Sequence, residues 1–379
     1  MKNNSIIPFK IEIGKEHIDT ILQKVKTFNW QDFPKRNGWE DGVGYDDLLK
    51  LVNYWKDNYN WYKIQDKLNL LPNYRYISGS HTIHFLHYKN NGLKSPILLL
   101  HGWPGSYLEF ENLVEKLALD GHDVIVPSLP GFAFSTPLNV IIGPKKISGL
   151  FDGLMNELFG DTKYIIQGGD WGSHIASWMA YLYPKRILGI HLNMVAILSE
   201  DNEPKNSKDR LFMERRNRSL YDEQGYNHQQ ETRPQTLGIA LYDSPVGTAA
   251  WILEKFGKWA DFSTTKEGNP DIWSKFDEAQ ILTNIMLYLV TNSIVSSSWI
   301  YRGMYLEKSN KLPLKAYINV PTGVAAFPDP VFAPTPKSIV EYNYNVIQWS
   351  TMEKGGHFAA LEEPELLYLD ITKFINKLF

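Results

Sequence analysis

The stretch Tyr164-Ile165-Ile166-Gln167-Gly168-Gly169-Asp170-Trp171-Gly172-Ser173-His174 decides how the rest of the chain is read. It opens as a short apolar run suited to a buried strand and passes through a turn of small residues around one acid. Beyond it, Ile175, Trp178, Met179 and Leu182 fall at helical spacing until Pro184 stops the run. Strand and helix joined by small-x-nucleophile-x-small make a nucleophile elbow. The turn is so tight that a Cβ two positions before or after the nucleophile would collide with backbone, hence glycine at 168 and 172. The nucleophile position holds Asp170. A carboxylate is too weak to attack a carbonyl, but it displaces a leaving group at saturated carbon and leaves an alkyl ester on the enzyme. Water must then attack the aspartyl carbonyl, which calls for a general base and an oxyanion hole. An acid at a helix start is also an ordinary N-cap, so the chemistry has to be argued from partners elsewhere.

A chain of 379 residues, 43% hydrophobic and 13% aromatic, suits a globular enzyme with a large core and an inserted or appended domain. Its formal charge of −3 gives no reason to expect nucleic acid or an anionic membrane as partner. The absence of cysteine excludes disulfides, thiolate metal sites and a thiol nucleophile. Met1 to Gly14 lacks the apolar core of a signal peptide. Ala279 to Tyr301 carries no charge, yet Thr283, Asn284, Thr291, Asn292, Ser293 and Ser296 to Ser298 interrupt it. A lipid-facing helix would be more uniformly apolar, so the expectation is a buried helix lining a cavity, with no transmembrane anchor.

In chain order, Tyr45 to Leu68 shows helical spacing, and Tyr74 to Tyr88 reads as two strands about a Ser78-Gly79-Ser80 turn. His81, His84 and His87 do not share one face of a period-two strand, so structural roles are expected and no metal. Pro96 to Leu100 is continuously apolar, the mark of a strand buried on both faces of a parallel sheet. It runs into His101-Gly102-Trp103-Pro104-Gly105-Ser106, a helix from Tyr107 to Leu119, and a strand at Val124 to Val126. This alternation predicts a mostly parallel, doubly wound α/β sheet of the α/β-hydrolase kind, with ligands at the carboxyl ends of its strands. In that arrangement the backbone N–H groups of Trp103 and Trp171 would form the oxyanion hole.

After Asn193 the pattern changes. Ser199 to Asp209 is polar, and the following helices, without strands between them, read as a lid. The sheet resumes at Ala316 to Ala326 and Val346 to Met352, with a last helix from Pro364 to Leu378. The expected division is 1–92 as an N-terminal region wrapping the core, 93–198 and 312–379 as the two parts of the core, and 199–311 as the helical lid. Asp170, Asp329 and His357 follow in the order nucleophile, acid, histidine that this fold uses. Glu341 is the alternative acid.

With Gly168-Gly169-Asp170-Trp171-Gly172, His101-Gly102-Trp103-Pro104-Gly105-Ser106, Asp243-Ser244-Pro245-Val246-Gly247, Ile252-Leu253-Glu254-Lys255-Phe256, Pro321-Thr322-Gly323 and Gly355-Gly356-His357-Phe358-Ala359-Ala360, the chain resembles the microsomal and juvenile-hormone type epoxide hydrolases. The resemblance runs over nearly the whole length. It implies Asp170 as nucleophile, His357 as base and Asp329 as the acid that orients it. Two lid tyrosines, Tyr226 and Tyr301, would protonate the epoxide oxygen, a step that ring opening to an alkoxide requires. It further implies a soluble, cytoplasmic, cofactor-independent enzyme acting on a small apolar epoxide, and leaves a homodimer open. Two rivals remain at this level. A haloalkane dehalogenase shares the Asp elbow and could use indole N–H groups of Trp103 and Trp171 for halide. A noncatalytic ligand-binding protein could occupy the same fold.

Overall fold

The computed structural model describes residues 5–36, 38–90 and 92–379. Among them nine strands form one sheet: β1 (Ser5–Pro8), β2 (Asn73–Ser78), β3 (His81–Tyr88), β4 (Lys94–Leu100), β5 (His122–Pro127), β6 (Tyr164–Gly168), β7 (Ile187–Leu192), β8 (Ile318–Ala326) and β9 (Tyr344–Thr351). Their order is β1-β2-β3-β5-β4-β6-β7-β8-β9. The pairs from β1 to β5 through β2 and β3 are antiparallel, and every later pair is parallel. Ile97 to Leu100, Val124 to Val126 and Tyr164 to Ile166 are fully buried, as their unbroken apolar runs require in central strands covered on both faces.

The helices before the elbow are α1 (Lys15–Lys26), α2 (Tyr45–Asp57), α3 (Trp61–Asn69), α4 (Glu111–Leu119) and α5 (Pro144–Phe159), and α6 (Asp170–Leu182) leaves the elbow itself. Between β7 and β8 lie α7 (Ser207–Glu223), α8 (Gly225–Thr232), α9 (Pro234–Asp243), α10 (Pro245–Trp259), α11 (Glu278–Val290) and α12 (Ile294–Glu307). Two short turns, α13 (Lys337–Val340) and α14 (Ala359–Glu362), precede α15 (Pro364–Ile375). Helices α4 and α15 pack together, as do α5 and α6, while α1 and α2 lie against α10 and α11.

Strand β4 is flanked by β5 on one side and β6 on the other, with Leu100 opposite Gly168 at their carboxyl ends. Here the winding reverses, and the two loops that leave β4 and β6 diverge to open a crevice. The loop His101 to Ser106 and Asp170 both start from it.

Three expected helices are divided. The run Tyr45 to Leu68 breaks between α2 and α3, where the Asn60 side chain accepts the N–H groups of Tyr62 and Lys63 and starts a new helix. The first turn of the run from Tyr107 is a 3-10 turn ending at Phe110. The uncharged stretch 279–301 is two helices, α11 and α12, bent by 83° across a break at Thr291 to Ser293, with Asn292 at φ +54°. Among the described residues no single helix is long and apolar enough to cross a membrane. Its polar residues face protein: Asn284 Nδ2 donates to Pro104 O at 2.7 Å and the Tyr288 hydroxyl to Gly105 O at 2.6 Å. Thr283 and Asn284 also line a cavity of about 320 Å³. His84 bonds Ser128 Oγ and Asn73 Oδ1, and His87 bonds Asp123 Oδ1, all at 2.9 Å, so both serve the packing.

Candidate active site

Asp170 has φ +44°, a left-handed conformation in a residue with a Cβ. The surrounding glycines explain how it is held. A Cβ on Gly168 would stand 2.5 Å from Gly172 C, and one on Gly172 would run into the Leu100 carbonyl of β4. The elbow therefore presses α6 directly onto the central strand and pushes Asp170 outward into the crevice. Asp170 Oδ1 accepts the Trp103 N–H at 2.8 Å, and the Trp171 N–H bonds the same carboxylate. Burial raises its pKa, but His357 and these two donors outweigh burial and hold it below the usual carboxylate value. At Gly102 a Cβ would overlap the Asp170 carboxylate.

His357 follows β9, and Asp329 follows β8. His357 Nδ1 lies 2.9 Å from Asp329 Oδ2, while Nε2 faces Asp170 Oδ2 at 3.5 Å without a hydrogen bond. Asp329 Oδ1 is occupied by the N–H groups of Val331 and Phe332, at 2.9 and 2.7 Å, which fix the carboxylate. Glu341 sits away from this cluster, ion-paired with Lys337 at 3.3 Å on the surface. Burial alone would lower the His357 pKa; the facing Asp170 and the bonded Asp329 outweigh it and push it up to about 10. A ring so placed is fixed in orientation, with Nδ1–H on Asp329 and Nε2 toward the elbow.

Above the elbow two phenols come from the helices between β7 and β8. Tyr226 is the second residue of α8, and Tyr301 lies in α12; both are buried, at 6% and 2% exposure. Tyr226 stacks on Trp103 at 5.2 Å between centroids, and Tyr301 meets Trp171 edge-on at 4.6 Å. The two phenol rings are 5.9 Å apart. The Tyr301 hydroxyl and the indole N–H groups of Trp103 and Trp171 are buried without a hydrogen-bond partner, although Tyr226 and Trp171 approach that hydroxyl. Burial, reinforced by the Asp170 charge, lifts both phenols well above their ordinary pKa and keeps them protonated donors. The site thus has a carboxylate with N–H donors and a histidine at its base, and two phenolic donors facing it.

Residues 6–110 match the family model described as epoxide hydrolase N terminus, and residues 95–226 match that of the alpha/beta hydrolase fold. Juvenile hormone epoxide hydrolase 2 of Ctenocephalides felis is 35% identical, covering 99% of this chain and 86% of its own. Epoxide hydrolase 1 of Oryctolagus cuniculus is also 35% identical, covering 99% and 90%. The chain belongs to the epoxide hydrolases. Among solved structures, the juvenile hormone epoxide hydrolase of Bombyx mori superposes with a TM-score of 0.86 at 30% identity, over 100% of this chain and 95% of the other. The Aspergillus niger epoxide hydrolase gives 0.84 at 28%, over 99% and 97%.

In this epoxide hydrolase several residues that carry no motif in the sequence support the site. Glu362 accepts the N–H groups of Gly356 (2.9 Å), Phe358 (2.8 Å) and Asp261 (2.8 Å), clamping the backbone on either side of His357. It closes the short turn α14 five residues after the histidine, at the end of the apolar run Phe358 to Leu361, and that placement is its mark in the sequence. Glu109 reaches back to Gly102 and takes the space beside Gly105 that a side chain there would need. Burial pushes its carboxyl up to about 8. The imidazole of His101 pins the same loop, with Nε2 accepting the Leu129 N–H at 3.1 Å and Nδ1 donating to Gly102 O at 3.0 Å.

Proposed function

We propose that this epoxide hydrolase works in two covalent steps on an apolar epoxide. In the first, Asp170 attacks an epoxide carbon, the C–O bond breaks, and Tyr226 or Tyr301 gives its proton to the departing oxygen. A hydroxyalkyl ester on Asp170 and one phenolate result. In the second, His357 takes a proton from water as the hydroxide adds to the Asp170 carbonyl. The oxyanion is met by the N–H groups of Trp103 and Trp171, each worth roughly 2.7–4 kcal/mol in comparable sites. Collapse sends the His357 proton to the leaving glycol oxygen, and the proton left on the Asp170 carboxyl returns to the phenolate. The product is a vicinal diol, and every group ends as it began.

The observation that carries the reading is the position of His357, bonded to Asp329 through one nitrogen and open toward Asp170 at 3.5 Å through the other. Phenols opposite the nucleophile favour epoxide oxygen over halide as the group to be stabilised. The aromatic walls, Trp103, Trp171, Trp259 and Phe332 with the two tyrosines, favour an apolar substrate. The four-part division at 92, 198 and 311 belongs to the same proposal, with 199–311 as the lid that brings the phenols.

The test is to incubate the His357→Gln variant with styrene oxide and weigh the protein and its peptides. A mass gain of one epoxide on the peptide containing Asp170 is expected. Steady diol production by Asp170→Ala, or no adduct in His357→Gln, would refute the scheme. Bromoalkane run in parallel should release no halide.

A further inference from the structure

The segment Ile252-Leu253-Glu254-Lys255-Phe256 is prominent in the sequence, yet no step above uses it. Lys255 lies on α10 with its side chain 4% exposed, an unusual place for an ammonium. Its Nζ is 2.9 Å from Glu223 Oε1 and 2.9 Å from Glu254 Oε2, and it stands over the Tyr226 ring at 4.6 Å from the centroid. Glu223 Oε1 also accepts the indole N–H of Trp259 at 2.9 Å. Lys255 and Trp259 are four residues apart on one helix face, and Trp259 in turn contacts Tyr226 at 5.1 Å. Glu223 is the last residue of α7, three before Tyr226. The ion pair thus ties the α7–α8 junction to α10 at the point where the phenol is presented.

Packing alone does not account for this. Enclosing charges is costly, and an apolar side chain of similar volume would fill the space as well. What a cation adds is sign. A cation over an aromatic ring is attracted to its π face, and more so as the ring gains electron density. Glu223 by itself opposes ionisation of Tyr226; the Lys255 ammonium, 2.9 Å from that carboxylate and 4.6 Å from the ring centroid, is the cation placed to counter it.

We propose that Lys255 is a positioning residue for ring opening. Locked by Glu223, it holds the Tyr226 ring against Trp103 and stabilises the charge that grows on the phenol as its proton passes to the epoxide oxygen. An interaction stronger in the transition state than in the ground state speeds the step. The inference rests on the assignment of Tyr226 as one of the two acids.

The experiment is single-turnover kinetics with styrene oxide, resolving ester formation from ester decay in the wild type and in Lys255→Met, Lys255→Arg, Lys255→Met/Glu223→Gln and Tyr226→Phe. Lys255→Met should slow ring opening about tenfold and leave ester decay within about twofold. Lys255→Arg should recover most of the rate, and the double variant, which removes Lys255 together with the Glu223 carboxylate and leaves the partly exposed Glu254, part of it. Ring opening at the wild-type rate in Lys255→Met overturns the inference. So does an equal loss in both steps that neither Lys255→Arg nor the double variant relieves, since that is the mark of a packing defect alone. If Tyr226→Phe is itself as fast as the wild type, the assignment of Tyr226 has failed first; if it is slow while Lys255→Met is not, only the role of Lys255 has failed.

Discussion

His357 Nε2 stands 3.5 Å from Asp170 Oδ2, facing it with no hydrogen bond between them. Two carboxylates therefore act on one imidazole, and in the free enzyme they push its pKa up to about 10. At neutral pH the resting pair is imidazolium and carboxylate, the state in which Asp170 carries the charge its proposed role as nucleophile needs. Esterification removes the Asp170 charge. Burial, which disfavours the imidazolium, then has only Asp329 against it, and the pKa falls; His357 gives its extra proton to solvent, can then act as the proposed base, and takes a proton back from solvent when the Asp170 carboxylate is restored.

The two steps should therefore answer differently to pH. Ester decay should show an acidic limb at a pKa well below 10, as neutral His357 is lost. Ring opening should lack that limb and decline only where Asp170 protonates, below the ordinary carboxylate value of 3.8. Single-turnover traces over a pH series read both. The same shift bears on stability. The folded-state pKa exceeds the unfolded value of 6.5, so the contribution is complete below 6.5 and is lost as pH rises through about 10. The unfolding temperature of the wild type should fall toward that of His357→Gln over this window.

Removing either phenol should slow ester formation and leave ester decay near its wild-type rate. General acid catalysis is commonly worth about 10²–10⁴-fold. With a second phenol in place, each single Phe variant should lose about 10²-fold or less, and Tyr226→Phe/Tyr301→Phe considerably more. A double variant that opens styrene oxide at the wild-type rate would remove both from the mechanism.

Glycines at the elbow separate folding from chemistry. Gly172→Ala sets a methyl against the Leu100 carbonyl, where neither backbone can yield, and should cost about 1–3 kcal/mol in thermal or denaturant unfolding. Gly102→Ala places its methyl on the Asp170 carboxylate instead. It should lower turnover far more than it lowers the unfolding temperature.

Glu362→Gln keeps the shape of the clamp around His357 but replaces a carboxylate that accepts three N–H groups. Charge-assisted bonds of this kind are about twice as strong as neutral ones. The variant should fold, and ester decay should suffer more than ester formation, because the loop it secures carries the base.

The elbow and the loop after β4 were legible because each is a short stretch whose neighbours in sequence are its neighbours in space, whereas Asp170, Asp329 and His357, far apart in the chain, were read from the order this fold uses. Period and length were enough for the central strands. They were not enough for the break between α11 and α12: Thr291, Asn292 and Ser293 stand at it, but polar residues recur through the whole uncharged run and do not by themselves mark a helix end. Asp329 and Glu341 could not be separated until His357 Nδ1 was seen to lie 2.9 Å from the first. Lys255 over Tyr226 and Glu362 around His357 depend on tertiary proximity that no local spacing encodes. The two β1–β3 pairings, with Ser5 opposite Ile77 and Asn73 opposite Leu86, close loops of very different length, and only the shorter hairpin has a turn signature.

The proposed acids ride on α8 and α12, whereas the proposed nucleophile, base and oxyanion donors all lie where the chain leaves the carboxyl ends of sheet strands: Trp103 after β4, Asp170 and Trp171 at the start of α6 after β6, and His357 after β9. The two half-reactions consequently differ in how much of the molecule they need assembled. In the proposed scheme ring opening requires α8 and α12 closed on the substrate, but attack of water on the ester calls on neither phenol, while α10 stays against the His357 loop through the Trp259 carbonyl. A movement that lifts α8 and α12 alone should stop new molecules from becoming attached while those already attached are still discharged. Loosening therefore drains the enzyme toward its free form and does not strand it as a dead conjugate.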